Sequence, residues 1–345
     1  MPKRVLIMRF SAMGDVAMIV PVVNCMAAQH PDVELTVLTR RAFTTLFRWL
    51  PSNVHTIGID MNDYKALTGL NRLYKELKSK NFDAVADLHN VLRSKYLRFR
   101  FKLGGVKTAV IDKGRNEKRK IMGNGRLSKP LMPTTDRYAR TFHNLGLSVE
   151  LNPLKCFHSE TSDFNKLNGL YGIKSQNEKW VGVAPFAAHE NKMYPLDRME
   201  TVVRTLSGMG LKVFLFGAGK EESSILDRWD NGSDIFSTCG KLGGLEQEML
   251  LMSELDVMLA MDSANMHIAS LVGIPVVSVW GCTHPKAGFI PWQQNPDNTI
   301  QDNTLDCRPC SVYGKKTCKY GDRRCMTRIS TEQIISKIKE VIGQS

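Results

Sequence analysis

No stretch of this 345-residue chain approaches the ~20 consecutive apolar residues that a membrane span requires. The run Val5-Leu-Ile-Met8 is too short for the apolar core of a secretory signal, so the expected compartment is the cytoplasm. Cysteine is sparse, eight residues in all, which favours reduced thiols or a metal site over a disulfide scaffold. Neither a repeat of solenoid length nor a low-complexity tract is present, which excludes repeat and fibrous architectures. Gly217-Ala-Gly-Lys220 lacks the Gly-x-x-x-x-Gly-Lys spacing of a Walker loop. Acids are outnumbered, 34 Asp and Glu against 47 Lys and Arg, for a formal net charge of +13.

What the chain does contain is an alternation of short apolar runs with helical patterns. Val33 to Leu38, Val54 to Ile59, Phe82 to Leu88 and Thr108 to Ile111 read as strands in the first half, with a helix over Lys65 to Lys80. After an irregular stretch around Leu151 to Phe157 the pattern restarts at Trp180 to Ala184, Lys212 to Phe216, Val257 to Met261 and Val276 to Trp280. Two βα-alternating halves predict an α/β protein with two doubly wound parallel sheets, and 345 residues suffice for two cores. The expected boundaries are 1–160 for the first domain, 161–330 for the second, and 331–345 for a final helix. That helix opens on the capping signature Ser330-Thr-Glu-Gln333.

Two strand-to-helix turns carry the chemistry. Asp262-Ser-Ala-Asn265 follows a strand and opens a helix that Gly273 can cap. In open α/β sheets ligands sit beyond the carboxyl ends of strands, and a helix N-terminus there offers unpaired N–H groups to an anion, most simply a phosphate. His267, one turn into that helix, can face such a ligand, although a lone helical histidine also serves as an ordinary structural residue. At the other turn, Arg9-Phe-Ser-Ala-Met-Gly-Asp15 ends the first strand. Gly14 is expected to supply the tight turn, and Asp15 to stand at the mouth of the first helix.

Together with Lys192-Met-Tyr-Pro195, Phe216-Gly-Ala-Gly-Lys-Glu221 and Gly281-Cys-Thr-His-Pro285, these segments, in this order, resemble glycosyltransferase family 9, the ADP-heptose lipopolysaccharide heptosyltransferases. The resemblance implies a GT-B architecture, two Rossmann-like domains facing across a cleft, with the final helix packing back toward the first. It also implies an inverting transferase that moves heptose from ADP-heptose to a hydroxyl of the lipopolysaccharide inner core. An acceptor hydroxyl that attacks an anomeric carbon must shed its proton, and Asp15 matches the family's catalytic aspartate. Ser11, Met13 and Gly14 then lie on the acceptor side. Lys192, Asp262, Ser263, Ala264 and His267 are assigned to the nucleotide-sugar donor, whose diphosphate gains charge as it leaves. Glu221 is assigned to the nucleotide ribose, or else is simply an acid in a first helical turn. No Asp-x-Asp pair occurs, which argues against the metal-dependent transferases, and no cofactor is expected. The chain departs from the family pattern at Ala187 and Ala188, where some relatives carry hydroxyl residues, and at Ala264, where glycine is commoner.

Charge is uneven as well. Between Arg93 and Lys129 thirteen Lys or Arg face two acids, Asp112 and Glu117, and such a cluster calls for an anionic partner unless it is only a solvated helix face and a flexible loop. With no nucleic-acid module in sight, Arg115, Lys118, Arg119 and Lys120 are assigned to the anionic lipid-linked acceptor and the inner face of the cytoplasmic membrane, as the resemblance suggests. Cys307, Cys310, Cys318 and Cys325 read as a local fold feature of the tail, with tetrahedral zinc on four thiolates as the alternative. Lys315, Lys316, Lys319, Arg323 and Arg324 add a second basic patch among them. Other sugar-nucleotide enzymes of the same architecture, a hexosamine transferase or a 2-epimerase, are the alternative activities, and a non-enzymatic basic nucleotide- or nucleic-acid-binding protein is the alternative class.

Overall fold

The structure, a computed structural model, describes residues 1–122 and 129–343. Arg126 of the basic stretch lies outside the described residues. The chain divides into two compact units, Met1–Gly114 with Met132–Phe157, and Arg115–Leu131 with His158–Ser345. Each is built on its own parallel sheet.

In the first unit the strands are β1 (Arg4–Met8), β2 (Glu34–Arg40), β3 (Val54–Ile59), β4 (Ala84–Asp87) and β5 (Lys107–Val110), in the order β3-β2-β1-β4-β5. All four pairings are parallel. The chain builds outward from β1 through β2 and β3, then returns to the other flank with β4. The connections leaving β1 and β4 therefore diverge, and open a crevice at their carboxyl ends. Helices cover both faces, so the inner strands are apolar throughout: Val5, Leu6, Ile7 and Met8 are all fully buried. The helix Ala66–Lys78 packs Leu70, Leu73 and Leu77 inward at helical spacing and ends one or two residues inside its expected range.

The second unit repeats the plan with β6 (Trp180–Ala184), β7 (Lys212–Leu215), β8 (Ile235–Ser237), β9 (Val257–Met261), β10 (Val276–Val279) and β11 (Thr299–Ile300), in the order β11-β10-β9-β6-β7-β8. Every pairing is again parallel, and the switch point lies between β6 and β9. Sequence periodicity misses β8 and β11 because three and two residues are too few to show alternation.

Two expectations need correction, and the packing of the final helix is defined on one side. The final helix, Thr331–Ile342, packs on the helix Leu196–Gly208 and on β9, and its Ile334, Ile338 and Ile342 join the second unit's core. It belongs there because those three side chains, four apart, form one apolar stripe. The segment Arg115–Leu131 also belongs to the second unit: the N–H of Leu131 donates to the Lys286 carbonyl (2.9 Å), and Lys118 lies over the Phe289 ring. Gly14, finally, sits inside a short helix, Met13–Ala17, and supplies no special turn.

Candidate active site

In the first unit the residues after β1 and β4 meet at the switch point. Asp15 is held by Arg9, whose Nη2 stands 2.7 Å from Oδ2, while the N–H of Ala12 donates to the same oxygen at 3.2 Å. Oδ1 takes neither contact. Arg9 is itself buried and locked by donation to the carbonyls of Leu88 (2.6 Å) and Ser11 (3.1 Å). The Tyr138 hydroxyl, on the helix Thr134–His143, donates to the Asp15 carbonyl at 3.2 Å, which fixes the backbone there. Ser11, Met13, Gly14 and Asp15 are partly exposed, whereas Val16 onward is buried; the carboxylate is thus reachable and oriented.

His89, which the sequence reading did not select, closes this site. The N–H of Phe10 donates to its Nδ1 (3.3 Å), and its Nε2 lies 3.4 Å from the Ser11 hydroxyl. Burial, with help from the Arg9 and Lys113 charges, pushes its pKa down to about 3, so the ring is neutral near pH 7 and Nδ1 accepts. Because the unfolded chain binds a proton that the folded ring refuses, stability should fall as pH drops from about 6.5 toward 3. Comparing midpoints of wild type and His89→Gln across that window checks this: the variant's pH dependence is expected to be flatter, and parallel curves contradict it.

In the second unit β7, β6 and β9 are neighbours, so the loops carrying Glu221, Lys192 and Asp262 leave the same sheet edge side by side. Lys192 Nζ pairs with Asp262 Oδ2 at 2.9 Å, both side chains being largely buried. The Thr283 hydroxyl donates to the same oxygen at 2.7 Å. Asp262 is therefore the clamp that aims the lysine, a role that spacing alone does not reveal. Ser263 is the N-cap of the helix Ala264–Leu271 but makes no capping bond. Its Oγ is buried without a hydrogen-bond partner, which leaves a hydroxyl and the first helical N–H groups to serve a bound anion. Ala264 opens that helix, and His267 is buried within it, 5 % exposed. Glu221 is exposed in the first turn of the helix Gly219–Trp229, and the capping is done by Glu222, which accepts from the Ala218 N–H at 2.7 Å. Glu221 takes no part in that cap.

The cysteine-bearing tail braces this site. Arg308, 3 % exposed, donates to the carbonyls of Trp280, Gly281, Thr283 and Asp302 and to Gln301 Oε1. The Cys310 and Ser311 N–H groups both reach the Cys282 carbonyl. Asn191 Nδ2 donates to the Lys316 carbonyl at 2.9 Å, and Arg323 pairs with Glu190 at 2.9 Å, so the tail grips both residues before Lys192. Gly314, at φ +85°, lies so close that a Cβ would stand 2.5 Å from Lys192 Cδ. Cys307, Cys310, Cys318 and Cys325 line one small cavity with Cys282, yet among the described residues no three His, Cys, Asp or Glu are gathered to hold a metal ion. Arg308→Ala orphans several buried carbonyls, and calorimetry is expected to show the second unit melting about 6 to 12 °C lower, for a cost of ~3 kcal/mol; an unchanged midpoint would remove Arg308 as the tail's anchor.

These two sheets and their edge loops match known proteins along almost the whole chain. Lipopolysaccharide core heptosyltransferase OpsX of Haemophilus influenzae is 24 % identical over 99 % of this chain and 97 % of its own. The crystal structure of a family 9 glycosyl transferase from Veillonella parvula superposes with a TM-score of 0.76 at 18 % identity, covering 99 % of this chain and 98 % of that one. The Escherichia coli heptosyltransferase WaaC with ADP gives 0.68 at 16 % identity, over 98 % and 99 %. Both structural likenesses establish the fold, the two Rossmann-like units of GT-B enzymes. The model of glycosyltransferase family 9 (heptosyltransferase) matches residues 70–321, a span that includes the Lys192–Asp262 pair and the unused cap at Ser263; the chain belongs to that family and is a glycosyltransferase.

Proposed function

We propose that the protein transfers heptose from ADP-heptose to a hydroxyl of the lipopolysaccharide inner core, without a metal ion and with inversion at the anomeric carbon. The observation that carries this reading is the Lys192–Asp262–Thr283 cluster beside the uncapped N-terminus of Ala264–Leu271. A leaving diphosphate needs fixed positive partners, and here a preorganised ammonium and unpaired backbone N–H groups supply them. Asp15 is the general base. The acceptor oxygen forms its bond to the anomeric carbon as the bond to the diphosphate breaks; the proton passes to Asp15 and the electron pair leaves with ADP. Arg9 orients that carboxylate by its bond to Oδ2. Glu221 meets the ribose, and Ser11 and Met13 border the acceptor. No Asp-x-Asp pair occurs in the sequence, which supports a mechanism in which protein cations and N–H groups carry the phosphate charge.

Among the described residues no helix is long and apolar enough to cross a membrane, and we place the enzyme peripherally on the inner face of the cytoplasmic membrane, where its lipid-linked acceptor is held. The basic residues Arg115, Arg119 and Lys120 serve that anionic acceptor and surface. Lys118, 4 % exposed, belongs to the same group and serves the acceptor. Thermal-shift measurement with a panel of nucleoside diphosphates and nucleotide sugars tests the donor: ADP and ADP-heptose are expected to raise the midpoint most. Equal shifts by uridine and guanosine diphosphates would overturn the donor assignment.

A further inference from the structure

The basic helix Arg115–Lys120 and the cysteine-bearing tail, almost two hundred residues apart in sequence, meet around one open pocket of about 400 Å³. Arg115, Lys118 and Arg119 line one side, Lys315 and Lys316 the other, and no carboxylate is among the lining residues. Met122, Val312 and Tyr313 supply an apolar wall. Tyr313 is 48 % exposed, with its ring 5.9 Å from Phe289. Lys118 Nζ stands 4.2 Å from the same Phe289 ring, so a cation is stored at the pocket's edge on an aromatic face and not in bulk water.

Arg115, Arg119, Lys315 and Lys316 are exposed around this space, and like charges gathered about one opening repel one another. An arrangement of that kind makes sense if a multiply charged anion offsets it. The pocket is also of a size for a small ligand, and its mixture of cations with an exposed aromatic ring suits a sugar that bears a phosphate: guanidinium and ammonium groups meet the phosphate oxygens, and the ring meets an apolar sugar face. The tail side is not a mobile fringe. Ser311 is buried and its Oγ accepts from the Gly314 N–H at 2.9 Å, the Lys316 carbonyl accepts from Asn191, and Gly314 packs on the stem of Lys192. The pocket therefore adjoins the loop that carries the donor lysine.

We propose that Tyr313, Lys315 and Lys316 of the tail complete, with Arg115, Lys118 and Arg119, a binding subsite for a phosphomonoester-bearing sugar of the acceptor. This rests on the acceptor reading given above. It makes the tail a part of acceptor recognition, where the sequence suggests only a fold feature.

The test uses the full-length protein and a deacylated, phosphate-bearing inner-core oligosaccharide, the same oligosaccharide after phosphatase treatment, and vesicles of anionic phospholipid. Lys315→Ala/Lys316→Ala removes two exposed side chains and keeps the backbone acceptor of Asn191. By calorimetry the double variant is expected to bind the phosphorylated oligosaccharide at least tenfold more weakly, with affinity for the dephosphorylated one and for ADP changed less than twofold. Arg119→Ala, on the opposite wall, is expected to show the same selective loss and serves if the tail variant is unstable. Equal losses for both oligosaccharides, or no loss, overturn the subsite, as does loss of vesicle binding with oligosaccharide binding intact, which would assign these lysines to lipid headgroups. Failure of the transferase reading shows differently: ADP-heptose would go unconsumed with every acceptor, while oligosaccharide binding could still be measured.

Discussion

Asp15→Asn is expected to lower the turnover of heptose transfer by about two to four orders of magnitude, the usual share of a positioned general base, with donor affinity nearly unchanged. The substitution is close to isosteric. An amide oxygen still accepts from the Ala12 N–H, and Arg9 keeps its bonds to the Leu88 and Ser11 carbonyls, so the strand-to-helix turn should survive. What is lost is the basicity of one carboxylate. Arg9→Lys provides a companion measurement: a lysine cannot reach Asp15 and two carbonyls in the planar geometry of the guanidinium. It should therefore lower kcat while leaving the base in place. Single-turnover kinetics with saturating donor would settle the matter, and wild-type-like turnover in Asp15→Asn would sink the assignment of the base.

The second large effect is expected at the donor. Lys192→Ala should weaken binding of ADP by about 1.5 to 3 kcal/mol, the worth of a charge-assisted hydrogen bond to phosphate. Asp262 would then be left largely buried beside the site with Thr283 as its hydrogen-bond partner, and its charge would oppose the diphosphate. Asp262→Ala should weaken ADP as well, by a different route: the lysine loses its clamp and the helix start its neighbouring hydroxyl geometry. Since both changes break one cluster, the double variant is expected to cost less than the sum of the two. Calorimetry with ADP and with adenosine separates the phosphate contribution, because adenosine should be indifferent to Lys192. Unchanged ADP affinity in both single variants would remove the second unit's sheet edge from donor binding.

Much of this was visible in the chain because it is local. A strand such as Val257–Met261 declares itself by five consecutive apolar residues, and the helix after it by polar cap residues, since the same few dihedral states and burial demands recur wherever that pattern occurs. The strand-to-helix turns at Asp15 and Asp262 were legible for the same reason, and the family resemblance rested on them. Arg9 and Thr283 stood inside the quoted segments without a role, because partners six and 21 residues away leave no periodic trace. His89 gave no signal at all: it reaches the Ser11 hydroxyl only because β4 pairs beside β1.

By itself, then, the sequence determined the two parallel α/β sheets, the strand-to-helix turns to which we assign a base and a phosphate partner, and the surplus of positive charge. Only the tertiary structure decided where that charge goes and what the tail does. Arg115–Leu131 joined the second unit through Leu131, Lys118 and Phe289, and the tail reached Lys192 through Gly314 and Asn191. Propensity and patterning act over a turn or a strand, whereas these contacts link residues scores of positions apart, and their free energy is gained only once the second unit's sheet has formed to hold its edge loops in place.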